Sequence, residues 1–120
     1  FLNEIYLKSN ITSEKSVEQS DNYRKKGNEH FAKRDFKSAF KYYNMALLQA
    51  PLKSKSSLLA YSNRSAVFFN LNLFNQTLKD ISQFKIIMQE IIDDNDHNSN
   101  IISTEMLNVI LKIFNRELNC

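Results

Sequence analysis

A chain of 120 residues with one glycine and one proline has room for a real core and few residues that break helices, so an all-α domain is the natural reading. Its 42% apolar and 24% charged residues are ordinary values, and a net charge of +3 does not by itself indicate nucleic acid. No apolar run reaches the length that crosses a bilayer, and the single cysteine, Cys120, excludes an internal disulfide. That cysteine usage points to a reducing compartment, the cytoplasm or the nucleus. The opening FLNEIYLKSN lacks the basic region and apolar block of an export signal. A chain that begins with Phe and stops inside a helical pattern reads as a fragment of something larger.

Residues 1–12 read as a leader in which Leu2, Ile5 and Tyr6 share one helical face, and this predicts a short helix. Asn10 to Ser13 is polar, and Thr12 or Ser13 can cap the next helix by accepting a backbone N–H bond. That helix should run to Lys33, with a solvated early part, Glu14 to Asp21, whose one apolar residue is Val17. From Tyr23 onward the apolar pattern tightens. Tyr23, Gly27 and His30/Phe31, then Phe36, Ala39/Phe40, Tyr43, Ala46/Leu47 and Ala50, recur at helical spacing on either side of the polar break Lys33-Arg34-Asp35. So short a break makes an antiparallel helical hairpin, which Pro51 ends. One hairpin cannot bury both its faces, so copies of it should stack.

The following LKSKSS reads as a basic, flexible connection. Tyr61, Ser65, Phe68/Phe69 and Leu71 then lead to a turn at Asn72 and Leu73, and Phe74, Leu78, Ile81, Phe84, Met88 and Ile91 form the second arm of another hairpin. Asp93 to Asn100, DDNDHNSN, has no apolar residue and reads as a mobile loop. Beyond it Ile102, Met106, Val109/Ile110, Ile113/Phe114 and Leu118 predict one more helix without a partner, an open end that could self-associate. The domain at 13–120 thus has five long helices: repeat one at 14–51, repeat two at 54–92, a loop at 93–101 and the first helix of repeat three at 102–120.

Tyr23, Gly27, Ala39, Tyr43, Ala46 and Pro51 fall at the offsets of the tetratricopeptide repeat, which the first hairpin resembles. At those positions small residues let helices cross closely and aromatic ones fill the gaps. The second hairpin resembles a weaker copy, because Tyr61 and Ser65 match while Thr77, Ile81 and Phe84 replace the small-aromatic-small pattern. The resemblance implies antiparallel hairpins stacked as a short right-handed superhelix. If Gly27, Ser65 and Leu118 hold equivalent places, the repeats are 38 and 53 residues long, against roughly 34 in the family. The excess would sit in the 52–57 connection and the 93–101 loop.

Within that family, Gly27-Asn28 and Asn63-Arg64-Ser65-Ala66 resemble the carboxylate-clamp domains of co-chaperones. Those domains hold the acidic C-terminal peptide of a heat-shock chaperone in a concave groove lined by the first helix of each repeat. Carried over, the resemblance implies a peptide-binding site of Arg24 and Asn28 in the first helix, Asn63 in the third, and Lys112 and Arg116 in the fifth. Arg24 stands where a lysine is more usual, which keeps the charge and changes its geometry. Spacing alone agrees with the mapping: Arg24/Asn28 and Lys112/Arg116 are i,i+4 pairs, each on one helix face. A narrower resemblance, carried by the long connection before LLAYSNRSAVFFNL, by LKDI and by KIFNRELNC, is to the N-terminal repeats of SET-and-MYND lysine methyltransferases. It implies a structural or regulatory arm of a larger enzyme, without a peptide ligand.

Plainer readings compete with these. Arg24 and Asn28, taken alone, are most simply solvated residues, whereas Asn63 is a mediocre helix former set between Tyr61 and Ala66, where packing is expected. His30 reads as a packing residue. His97, with Asp93, Asp94 and Asp96, lacks the Gly and terminal Glu of a calcium loop. The many asparagines read as compositional bias. No Ser/His/Asp set, paired catalytic carboxylates or Gly-rich phosphate loop can be assembled. The segment is therefore expected to bind a protein rather than to catalyse, with no metal or cofactor.

Overall fold

The computed structural model describes residues 13–94 and 103–120, with side chains from residue 17 onward. Five α-helices follow in order: α1 Ser13–Ala32, α2 Phe36–Gln49, α3 Lys55–Asn70, α4 Phe74–Asp94 and α5 Thr104–Asn119. Among the described residues there is no strand. The leader, residues 95–101 of the acidic loop and residue 102 lie outside the described residues, and with them the short helix and the mobility expected there.

The two hairpins turn in the same way, 38 residues apart. After α1, the N–H of Arg34 returns to the Phe31 carbonyl and that of Asp35 to the His30 carbonyl, each at 2.9 Å. After α3, Asn72 N–H returns to the Phe69 carbonyl at 3.0 Å and Leu73 N–H to the Phe68 carbonyl at 2.9 Å. Arg34 and Asn72 both take the left-handed conformation, with φ of 61° and 58°. Asparagine adopts that region at little cost and arginine at more, so the polar break is a defined turn. Asp35 then caps α2, its carboxylate accepting from the Ser38 N–H at 3.2 Å.

Two apolar clusters hold the helices together. Ala39, Tyr43 and Val67, backed by Phe31, Phe36 and Phe40, join α1, α2 and α3. Leu58, Leu59, Ile81, Phe84, Met88 and Ile91, with Met106 and Ile113 of α5, form the second and larger cluster. Gly27 packs directly against the Tyr43 ring: a Cβ built there would collide with its Cε1 and Cδ1 atoms.

Several expectations are revised by this packing. The early part of α1 is not all solvated, because Ser20 is buried and its hydroxyl donates to the Ala46 carbonyl at 2.8 Å. The 52–57 connection is shorter than expected, since α3 starts at Lys55. Ser54 and Ser57 exchange side-chain to backbone bonds in a capping box, and Ser56 and Ser57 are buried. Asp93 and Asp94 belong to α4. Leu118 does not take the place of Gly27 and Ser65, for it is 85% exposed while Ile113 is 1% exposed. Five residues on from Ile113, it lies about 140° around the helix from the packed face.

Replacing Gly27 by alanine separates two opposed effects. Alanine is the better helix former by about 1 kcal/mol, but the overlap with Tyr43 should cost about 1–3 kcal/mol. Urea unfolding should show a lower midpoint for Gly27→Ala, and an unchanged or higher midpoint would mean that the ring is not held against α1.

Candidate functional site

Tyr43 of α2 is 2% exposed, and its hydroxyl donates to Asn28 Oδ1 at 2.6 Å. The same oxygen accepts from Asn63 Nδ2 at 3.0 Å. One side-chain oxygen therefore joins α1, α2 and α3. One turn before Asn28, the Arg24 guanidinium has Nη2 3.7 Å from the Asp21 carboxylate, while its Nε is enclosed and has no hydrogen-bond partner. On α5, Arg116 Nη1 donates to the Ser62 carbonyl and to Ser65 Oγ, both at 3.0 Å, with Ser62 Oγ at 3.4 Å. That seat beside Asn63 is half-buried, and loss of solvent pulls the Arg116 pKa below its ordinary value.

Arg24 and Arg116 meet electrostatically at Tyr43. Burial pushes the phenol up to about 12, against the opposite pull of these two guanidinium groups. The structure thus ties Asn28 and Asn63 to one tyrosine, on which the charges of Arg24 and Arg116 also act. Lys112 is exposed and makes no hydrogen bond or ion pair among the described residues. Asn28 stays exposed, as its plainer reading as a solvated residue had it, yet its oxygen is tied to a core ring, and part of Arg24 is enclosed.

Sequence reasoning missed the residue beside Asn63. Arg64 grips Asp80 of α4 with two parallel bonds, Nε to Oδ2 at 2.8 Å and Nη2 to Oδ1 at 2.6 Å, and gives a third to Asn44 Oδ1 at 3.0 Å. Asp80 is 3% exposed, so the pair is largely removed from water. Its bonds to Asp80 raise the Arg64 pKa, against the opposing effect of burial. Fork-to-carboxylate geometry fixes direction as well as charge, so Arg64 sets the rotation of α3 and with it the aim of Asn63. The usable signal was the aspartate in LKDI, one hairpin arm away.

Other candidates are structural. The His30 ring stacks on Tyr42 with centroids 5.3 Å apart, and its Nδ1 lies 3.1 Å from Asp35 Oδ2. Among the described residues, no three His, Cys, Asp or Glu side chains are placed to hold a metal ion. No described helix is long and apolar enough to cross a membrane.

Three similarities to known proteins bear on this arrangement. Protein-lysine N-methyltransferase SMYD4 of Gallus gallus is 34% identical over 61 residues, 51% of this chain and 8% of that protein. The protein of the same name from Mus musculus is 32% identical over 82 residues, 65% of this chain and 10% of that protein. DnaJ homolog subfamily C member 7 of Mus musculus is 27% identical over 73 residues, 61% of this chain and 14% of that protein. The chain therefore spans only 8–14% of the length of these curated relatives. No family model matches the chain, and no solved structure matches it. The helical hairpins and these similarities fit a tetratricopeptide-like repeat that serves in protein interaction.

The buried phenol gives the site a pH signature. An unfolded tyrosine ionises near pH 10, whereas Tyr43 in the fold holds its proton up to about 12. Its contribution to stability is complete below about pH 10 and is lost as pH rises through about 12. Unfolding followed across that window should show a steeper loss of stability in the native chain than in Tyr43→Phe. Parallel losses would mean that the hydroxyl is not buried as described.

Proposed function

We propose that this chain is a protein-interaction module that holds an extended acidic C-terminal peptide, of the kind heat-shock chaperones carry, against Arg24, Asn28, Asn63 and Arg116. The observation that supports this reading most is the pair of amides, Asn28 and Asn63, joined beside the Tyr43 hydroxyl where the charges of Arg24 and Arg116 are felt. A terminal carboxylate with a neighbouring acidic side chain is the complement of these amide donors and of the two positive charges that act on Tyr43. Lys112 is left free to meet a further carboxylate of the peptide.

Charge-assisted bonds contribute about 1.5–3 kcal/mol each. Less the costs of desolvation and ordering, a handful of them gives roughly micromolar affinity, near −8 kcal/mol. The similarity to a mouse DnaJ homolog is in keeping with a chaperone-related partner.

A second reading has its own support. Leu107, Leu111, Phe114 and Leu118 are all exposed and form a stripe along α5. Beside it a cavity of about 450 Å³ lies between α4 and α5, lined by apolar side chains such as Met88, Ile92, Ile110 and Phe114 together with Lys85 and Gln89. With two lysine methyltransferases among the similar proteins, these residues fit a structural or regulatory arm that packs onto a larger enzyme without a peptide ligand.

Calorimetric titration with a peptide ending in Glu-Glu-Val-Asp, and with its C-terminally amidated form, tests the first reading. The free acid should bind at roughly micromolar concentration and the amide at least tenfold more weakly. Absent heat, or equal affinities, would sink it. Asn63→Ala and Lys112→Ala divide the two readings, because a clamp loses affinity in both while a structural arm keeps its stability and its docking.

A further inference from the structure

We infer that Tyr43, a core residue, is a positioning residue that turns the donor end of the Asn28 amide toward the ligand and so sets the preference of the site for a free carboxylate. This rests on the reading of the groove as a carboxylate site.

A side-chain amide has two ends of opposite character, an oxygen that accepts and an NH2 group that donates. Which end faces a ligand depends on what holds the other. The Tyr43 hydroxyl lies on a ring that is 2% exposed, and Asn28 Oδ1 at 2.6 Å accepts its proton. A buried hydroxyl that failed to donate would forfeit about 1–3 kcal/mol, so the amide oxygen is drawn to it. The Asn63 Nδ2 bond at 3.0 Å occupies the second acceptor site of the same oxygen.

With its oxygen saturated from within, Asn28 keeps both Nδ2 hydrogens out of every hydrogen bond among the described residues. They are left to donate outward, on the helix face that also carries Arg24. Had the amide turned over, it would set an oxygen against an incoming carboxylate, and the site would repel the group it is built to hold. The ring reaches Asn28 because residue 27 has no side chain, since a Cβ there would collide with Tyr43. Gly27 therefore serves the ligand as well as the stack.

Tyr43→Phe keeps the ring over Gly27 and removes only the hydroxyl. Titrated with the Glu-Glu-Val-Asp peptide and its amidated form, the variant should bind the free acid about tenfold more weakly, a change of about 1.4 kcal/mol, with little change toward the amide. The acid-over-amide ratio then falls. A purely structural tyrosine would weaken both peptides alike, and an unchanged ratio would overturn the inference while leaving the groove intact. If the native chain binds neither peptide, the reading of the groove itself fails and the inference with it. Should the variant not fold, the native chain still decides by NMR. The Asn28 side-chain amide protons should shift downfield with the free acid and not with the amide, and unmoved signals would overturn the inference.

Discussion

Tyr43 can lie across α1 because residue 27 carries no side chain, and most of the first hairpin follows from that contact. The ring closes the gap between α1 and α2, with Ala39 and Ala46 bringing the helices near enough for it to do so. Its hydroxyl, carried to the edge of the core, then needs an acceptor and finds one in Asn28. Through Asn28 the contact extends to Asn63 on the next hairpin. A packing requirement and a polar constellation thus share one side chain, and neither can be changed without disturbing the other.

The second hairpin repeats the scheme with different chemistry. Ser65 is buried where the first hairpin has Gly27, and its hydroxyl bonds locally to the Ser62 carbonyl at 2.7 Å. Arg64 and Asp80 supply the fixed contact between arms that the tyrosine ring supplies in the first hairpin. Shared turns at Arg34 and Asn72 keep the two in register at 38 residues. The register then lapses, since α5 joins through Met106 and Ile113, and Arg116 is fastened to the carbonyl and hydroxyls of α3. Arg116 therefore anchors the last helix and brings a positive charge to the tyrosine with the same guanidinium.

Much of the architecture could be read from the residues alone. Periodic apolar positions gave the hairpins, the polar break at Lys33-Arg34-Asp35 gave a turn, and the Gly27, Tyr43 and Ala46 pattern pointed to close helix crossing. Serines misled because their hydroxyls look like solvent contacts in one dimension. Ser20, Ser56 and Ser57 instead spend their polarity on carbonyls, carboxylates and caps and become buried. The Arg64 and Asp80 pairing spans two helices and depends on their relative rotation, which no local pattern specifies. Leu118 was misplaced for a similar reason, because an apolar residue at the right period still needs the helix phase to decide which way it faces. Asn28, Asn63 and Arg116 are held by bonds that run through the hydroxyl of Tyr43, marked in the sequence only as a packing residue, and through the Ser62 carbonyl, which any residue would supply.

The linkage between core and site rests on the bond from Tyr43 to Asn28, which a double-mutant cycle measures directly. Unfolding free energies of the native chain, Tyr43→Phe, Asn28→Ala and the double variant should yield a coupling of about 1 kcal/mol, the size expected of a net intramolecular hydrogen bond. Additive losses, with no coupling between the two positions, would show that the ring and the amide act separately.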